Sequence, residues 1–159
     1  MNSIHLRKKN TTKWFRDLRN LICKDFEYFE NNNAKKKIKF TRSKWKKSKI
    51  KSEGGGEISI LRNGNIFEKV GVNISVVNGR FDKNFKNKIP GTKKSSKFWA
   101  SGISVVAHFQ NPKIPSLHFN TRYIITSKEW FGGGMDVTPC IKDNKQKKYF
   151  HQELKKMCS

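Results

Sequence analysis

Two apolar runs joined by a short, proline-containing connection constrain the fold of this chain most. Residues 102–108 and 117–125 are rich in Val, Ile, Phe and Tyr, which are enriched in β-strands. The connection between them is too short for the crossover that parallel strands require, so the two strands are predicted to pair antiparallel. A sheet therefore lies at the centre of the predicted fold.

The predicted hairpin places polar side chains together on one face. We place its turn at Lys113, which puts His108 opposite His118 with Cβ atoms about 5 Å apart. In the same register Ser104 lies opposite Arg122. Period-two alternation then gives one face the residues Ser104, His108, His118, Asn120 and Arg122. A lone strand histidine is more often structural, but this many polar groups are costly to bury, which favours a polar cleft.

A helix is predicted near the N-terminus. Over residues 10–33, apolar side chains recur at helical spacing, and Asn31 to Asn33 end the pattern. Thr11 or Thr12 is the predicted N-cap, so the residues before position 10 are expected to lie outside the helix. We interpret this amphipathic helix as one that packs on the sheet.

The rest of the chain predicts an antiparallel sheet over residues 54–138 and a second helix. Asn63-Gly64 between two apolar runs is a strong hairpin signal. The glycines at 132–134 either give the chain freedom to present Asp136 at close quarters or form a plain turn with a solvated acid. A helix over residues 143–158, capped by Asp143, ends the pattern. The predicted class is α+β, an antiparallel sheet flanked by helices.

Positive charge is the most unusual feature of the composition. The net charge is +23, and the predicted connecting segment 34–52 places Phe40 and Trp45 among lysines, as in proteins that clamp single-stranded nucleic acid. Only seven of the 35 basic residues are Arg, however, whereas readers of nucleic acid rely on the Arg fork. We therefore favour a solvated basic loop over a nucleic-acid interface.

The cysteines and the hydropathy of the chain indicate the cellular compartment in which the protein is expected. Cys23, Cys140 and Cys158 show no metal-ligand spacing and no even disulfide framework, which favours a reducing compartment. No apolar run has secretory length or approaches the roughly 20 residues of a membrane span. We expect a cytoplasmic protein without membrane contact.

Three long motifs carry a family resemblance. In chain order they are GGGEISILRNGNIFEKVGVNISVVNG, GISVVAHFQNPKIPSLHFNTRY and WFGGGMDVTP. Together they resemble the oxygen-dependent coproporphyrinogen III oxidases of haem biosynthesis. The resemblance runs from about Thr12 to the end of the chain and covers the N-terminal half of the family's usual length.

This resemblance implies a reaction and an assembly. The reaction is the oxidative decarboxylation of two propionate side chains of coproporphyrinogen III, with molecular oxygen as co-substrate, to give protoporphyrinogen IX. No organic cofactor is implied, whereas a divalent metal ion is, with its catalytic role left open. The implied fold is a large antiparallel sheet sandwiched by helices and assembled as a homodimer.

The resemblance also implies roles for individual residues. His118 matches the proton donor, and Asp136 matches an acid that engages the central pyrrole N–H groups. Substrate-contact positions are matched by Ser104, Asn120, Thr121 and Arg122. Positions assigned to the divalent metal are matched by His108, His118 and His151.

The sequence departs from the family pattern in places. The family's His-Pro-x-Asn-Pro appears as HFQNP over residues 108–112, its Trp-Trp as Glu129-Trp130, and a His-x-His pair as YFH over residues 149–151. The second half of the family's length is absent from the match. Two further hypotheses are therefore that the chain is a non-catalytic remnant, or one half of a split enzyme whose other half is encoded separately.

Overall fold

A six-stranded antiparallel sheet, with strands in chain order from edge to edge, accounts for most of the fold. The computed structural model describes residues 3–32, 34–85 and 88–158. The predicted α+β class is confirmed. The helices and strands are α1 (Ile4–Asn31), β1 (Thr41–Lys46), β2 (Gly54–Arg62), β3 (Phe67–Arg80), β4 (Lys97–Phe109), β5 (Ser116–Ile125), β6 (Glu129–Thr138) and α2 (Asn144–Cys158).

Alternation along the strands gives the sheet two unlike faces. In β4, Ile103, Val105 and Ala107 are buried, whereas Val106 and His108 beside them are exposed. The buried face packs against α1 through one apolar core, in which a fully buried Val or Phe side chain contributes about 1.5–3 kcal/mol. We call the opposite face, which carries Val106 and His108, the open face.

Helix α1 begins earlier than predicted. It starts at Ile4, with Ser3 as N-cap accepting a hydrogen bond of 3.3 Å from the backbone N–H of Leu6. The predicted start at residue 10 and the predicted caps Thr11 and Thr12 are therefore wrong. The end at Asn31 agrees with the prediction, while Asn33, the last residue of the predicted stop, lies outside the described residues.

Tertiary contacts explain the additional N-terminal turns of α1. The guanidinium Nε of Arg7 lies 3.1 Å from a carboxylate oxygen of Glu129 in β6. The ammonium of Lys8 lies 5.3 Å from the ring centroid of Trp99 in β4, which is a cation–π contact. These contacts join residues far apart in sequence, so hydrophobic periodicity along the helix could not reveal them.

The basic segment 34–52 is not only a connecting loop. Residues 41–46 form β1, an edge strand that pairs antiparallel with β2. Arg42, Lys44 and Lys46 are exposed along it. Charged side chains on an edge strand oppose pairing with another sheet, which gives these cations a structural explanation.

One charged pair joins α1 to the buried face of the sheet. The Arg19 side chain is only 6% exposed, and its guanidinium bonds to the carboxylate of Glu57 in β2. This hydrogen bond lowers the pKa of Glu57. Because desolvation offsets much of the attraction in a buried pair, we infer that the contact chiefly orients α1 on the sheet.

Helix α2 confirms the helix predicted over residues 143–158. The Asp143 carboxylate accepts hydrogen bonds of 2.9 Å from the backbone N–H groups of Lys145 and Gln146, as expected of a cap. None of its described residues is buried. Within the described part of the chain, neither helix is long and apolar enough to cross a membrane.

Glu30, near the end of α1, holds the turn between β2 and β3. Its side chain is 1% exposed and accepts backbone N–H bonds from Asn65, from Ile66 at 3.2 Å and from Phe67 at 3.0 Å. A Cβ added at Gly64 would lie 2.3 Å from Oε2 of Glu30, so glycine allows the close approach. The predicted Asn-Gly hairpin is confirmed, and a buried carboxylate supports it.

Replacing Glu30 with Gln should therefore destabilise the protein. The amide has one acceptor oxygen instead of two and turns an N–H₂ group toward buried donors, which costs about 2–3 kcal/mol. Urea unfolding of the Glu30→Gln variant would measure this loss. The matched control is Glu68→Gln on exposed β3 surface, which should change stability by less than about 0.5 kcal/mol. Equal effects of the two substitutions would contradict the role given to Glu30.

Candidate active site

The pairing of β4 with β5 differs from the predicted register. His118 lies opposite Val106, and Ser104 lies opposite Asn120, so the predicted His108–His118 pairing is wrong. The predicted turn is centred on Lys113, between the two prolines, whereas the turn in the structure runs from Asn111 to Ile114 and contains only one of them. The centre of the hairpin therefore lies one residue earlier than predicted, and each residue of β4 pairs with a β5 residue two positions earlier than predicted.

A shift of two residues leaves the faces unchanged, because side chains alternate with period two. The predicted polar residues therefore share the open face. Residues that oppose one another on this face form rows that cross β3, β4, β5 and β6 in that order. The first row is Gly71, Val106, His118 and Asp136, and the second is Asn73, Ser104, Asn120 and Gly134. The third row is Ser75, Gly102, Arg122 and Gly132.

His118 and Asp136 form a hydrogen-bonded pair between β5 and β6. Nδ1 of His118 lies 3.0 Å from Oδ2 of Asp136, and the two side chains are 40% and 60% exposed. The residues lie directly opposite each other because the glycines at 132–134 belong to β6 rather than to the predicted turn. Both residues are among the predicted site residues, but only the strand register shows that they touch.

Arg122 lies on the open face between two glycines. Gly102 on β4 and Gly132 on β6 oppose it, so no cross-strand side chain covers the guanidinium. Its Nη2 donates a 3.0 Å hydrogen bond to Oδ1 of Asn120, two residues back on the same strand. Asn120 thereby orients the guanidinium, which leaves its other N–H groups available to a planar anion such as a carboxylate.

Thr121 does not join this face. Its neighbours Asn120 and Arg122 point to the open face, so the Thr121 side chain points to the other, where Oγ1 lies 3.4 Å from the carbonyl oxygen of Gly132. The predicted substrate-contact set is thus brought together only as Ser104, Asn120 and Arg122. At Thr121 only the backbone is near the site.

Apolar surface accompanies these polar groups. Val106 is 39% exposed directly opposite His118, and Gly71 and Gly134 have no atom within 4 Å of an added Cβ. The open face therefore combines a flat apolar area with one guanidinium and one imidazole–carboxylate pair. Such a surface can bind a planar organic acid and exchange a proton with it.

Comparison with known proteins identifies the family. Residues 10–159 match the family model described as coproporphyrinogen III oxidase. The oxygen-dependent coproporphyrinogen-III oxidase of Rickettsia rickettsii (strain Sheila Smith) is 48% identical over 155 residues, which cover 95% of this chain and 54% of the relative. That of Rickettsia bellii (strain OSU 85-389) is 48% identical over 160 residues, which cover 96% and 56%.

The chain belongs to the coproporphyrinogen III oxidase family. The resemblance inferred from the three motifs is confirmed. The chain spans about half the length of the curated relatives it matches.

The metal ligands suggested by the coproporphyrinogen III oxidase resemblance are not gathered into one cluster. His108 opposes Lys69 of β3 and is a diagonal neighbour of His118, while His151 is exposed on α2. In the described residues no group of three or more His, Cys, Asp or Glu side chains could hold a metal ion. His151 instead lines a cavity beside β6, together with Asp136, Met135 and Phe150.

One departure from the coproporphyrinogen III oxidase pattern has a structural explanation. Glu129 stands where the family has the first Trp of a pair, and it accepts hydrogen bonds from the Tyr123 hydroxyl and from Arg7 of α1. The bond from Tyr123 is the main cause that lowers the pKa of Glu129. Burial, with this hydrogen bond, raises the pKa of Tyr123. No sequence pattern indicates this cluster, which ties α1 to the end of β5 and the start of β6.

The glycines around Arg122 predict opposite responses to alanine. A Cβ at Gly102 would lie 2.8 Å from the backbone oxygen of Thr121 and 2.9 Å from Cβ of Arg122, whereas Gly134 has open space. Gly102→Ala should lower stability by about 1–3 kcal/mol, because the backbone cannot move aside cheaply. Gly134→Ala is the matched control and should unfold close to the unaltered protein. Thermal unfolding of both variants measures the difference, and a Gly102→Ala protein of normal stability would contradict the packing around Arg122.

Proposed function

We propose that this protein carries out, or contributes half of a site for, the oxygen-dependent oxidative decarboxylation of coproporphyrinogen III to protoporphyrinogen IX. The observation that carries the proposal is an exposed sheet face that holds both the His118–Asp136 pair and, two rows away, Arg122. Family membership supports it, because the curated relatives are named for this activity.

Substrate binding requires cations and an apolar surface. A tetrapyrrole with four carboxylates presents planar anions at its rim, and Arg122 offers a planar fork that can bind one of them with two parallel hydrogen bonds. The fork is already oriented by Asn120. Val106, exposed in the same row as His118, supplies apolar surface on which the macrocycle can rest.

The reaction balances protons and electrons as follows. In each propionate the bond to the carboxylate breaks to release carbon dioxide, and the side-chain carbon attached to the ring loses one hydrogen, which leaves a vinyl group, one proton and two electrons. Two such steps supply the four electrons that reduce molecular oxygen to two waters. That reduction takes up four protons, so groups able to deliver protons are needed near the macrocycle.

His118 is the proposed group for this proton delivery. An ionised carboxylate can only accept hydrogen bonds, so Asp136 holds the hydrogen of His118 on Nδ1. Nε2 is then directed away from Asp136 and can exchange a proton with the ligand. The carboxylate of Asp136 stabilises the imidazolium that forms when Nε2 gains its proton. Val106, which lies opposite His118 on β4, leaves room for the ligand.

Replacement of His118 tests the catalytic proposal. We expect His118→Ala to lower turnover by about 10²–10⁴-fold, the range that general acid–base groups contribute, without loss of fold. Oxygen-dependent formation of the vinyl product, followed by fluorescence after oxidation, is the measurement. The matched control, His5→Ala, lies on exposed α1 and should retain full turnover. Near-normal turnover by His118→Ala would remove this residue from the chemistry.

Arg122 tests the substrate assignment separately. Arg122→Lys keeps the charge but replaces the fork by a point donor, so tetracarboxylate binding should weaken roughly tenfold. Fluorescence titration with coproporphyrin III, the stable oxidised macrocycle with the same carboxylates, measures it. Arg16→Lys, an exposed position on α1, is the control and should bind normally. Unchanged binding by the Arg122 variant would exclude it from the site.

A second candidate is that the chain works with a separately encoded partner. The chain covers only 54–56% of the relatives' length, and no described residue of α2 is buried, which leaves that helix available for a further segment. If the isolated chain converts the substrate unaided, the split-enzyme and remnant hypotheses both fail. Homodimer formation, cytoplasmic location, the divalent metal ion and the absence of an organic cofactor or a nucleic-acid partner stay predictions.

A further inference from the structure

A tryptophan on the edge strand extends its ring across the neighbouring strand, along the open face. Trp45 lies on β1, Gly56 opposes it on β2, and Asn73 is on β3. The indole Nε1 donates a 2.8 Å hydrogen bond to Oδ1 of Asn73. A Cβ at Gly56 would lie 2.7 Å from Cζ2 of Trp45, so only glycine on β2 lets the ring lie across the sheet.

This contact determines how the Asn73 amide is oriented. An indole N–H can only donate, so the atom that it touches must be the amide oxygen rather than the nitrogen. The oxygen is thereby occupied, and the two hydrogens of Nδ2 are directed away from Trp45. Among the described contacts of Asn73, Nδ2 donates no hydrogen bond within the protein.

Asn73 also lies in the row that contains Ser104 and Asn120, two of the three proposed substrate-contact residues on the open face. It opposes Ser104 on β4, and Ser104 opposes Asn120 on β5. Residues that oppose each other directly share a face, so the amide belongs to the open face. Asn73 is half-buried, so a hydrogen bond that it makes to a ligand is only partly exposed to competing water.

We propose that Asn73 and Ser104 form a second carboxylate-binding subsite on the open face, with Trp45 as the positioning residue that directs the Asn73 amide. The ligand class is a polycarboxylate macrocycle, so the inference rests on the proposed function. Asn73 lies two strands from β5, roughly 10 Å, and therefore binds a different carboxylate from the one at Arg122. Two anchors at this separation would orient the macrocycle over Val106 and the imidazole.

Asn73→Asp is the primary test. The new carboxylate still accepts the indole hydrogen, so the fold is kept, but it presents oxygen instead of N–H to the ligand. Coproporphyrin III binding should weaken by about tenfold or more, because a donor to a charged group becomes a like charge. The matched control is Asn10→Asp on exposed α1, which makes the same change in charge and should bind as the unaltered protein does.

Trp45→Phe tests the positioning role. It keeps an aromatic ring over Gly56 but removes the indole N–H, so Asn73 is free to rotate and binding should weaken by about two- to fivefold at unchanged melting temperature. If Trp45 acts through Asn73, the double variant Trp45→Phe/Asn73→Asp should bind no worse than Asn73→Asp alone. A merely structural tryptophan would lower the melting temperature and add its effect to that of Asn73→Asp.

The outcomes separate this inference from the proposed function. Tenfold weaker binding by Asn73→Asp, with non-additive loss in the double variant, supports the subsite. Weakening by Arg122→Lys while Asn73→Asp binds normally overturns the subsite and leaves the proposed function intact. Equal weakening by Asn73→Asp and Asn10→Asp assigns the effect to overall charge and overturns the subsite. Failure of the unaltered chain to bind the macrocycle overturns both.

Discussion

Burial of one sheet face beneath α1 is the interaction on which the rest of the structure depends. The side chains that α1 covers, among them Val72 and Val105, come from alternate positions of the central strands. When those side chains point to the buried face, the side chains between them point to the open face, because side chains along a strand alternate with period two. The chemistry-bearing residues of β5 lie outward for this reason alone.

Polar anchors make this burial specific. The Arg19–Glu57 pair, the carboxylate of Glu30 beneath the β2–β3 turn, and the contact of Arg7 with Glu129 join α1 to the sheet at three places. Each anchor satisfies groups that would be costly to bury unpaired. Apolar packing alone would let the helix slide, so these contacts determine where α1 lies on the sheet.

Glycine has a different role on the open face. Gly102 and Gly132 leave the flanks of Arg122 without side chains, and Gly56 lets the Trp45 ring reach Asn73. Removing side chains from selected cross-strand positions exposes a guanidinium and an oriented amide on a flat surface. A sheet face with its glycines placed in this way can receive a broad, planar ligand without a deep pocket.

The sequence by itself determined the family, the class of fold, the central hairpin and the face shared by Ser104, His118, Asn120 and Arg122, because motif order and period-two alternation are local properties of the chain. It also indicated the Asn-Gly turn and the cap at Asp143, since each depends on neighbouring residues. Only the tertiary structure decided the partner of each strand residue, the contact of His118 with Asp136, the early start of α1 and the orientation of Asn73 by Trp45. Those features depend on a turn geometry that a difference of one residue alters and on contacts between residues distant in sequence, for which no local pattern exists.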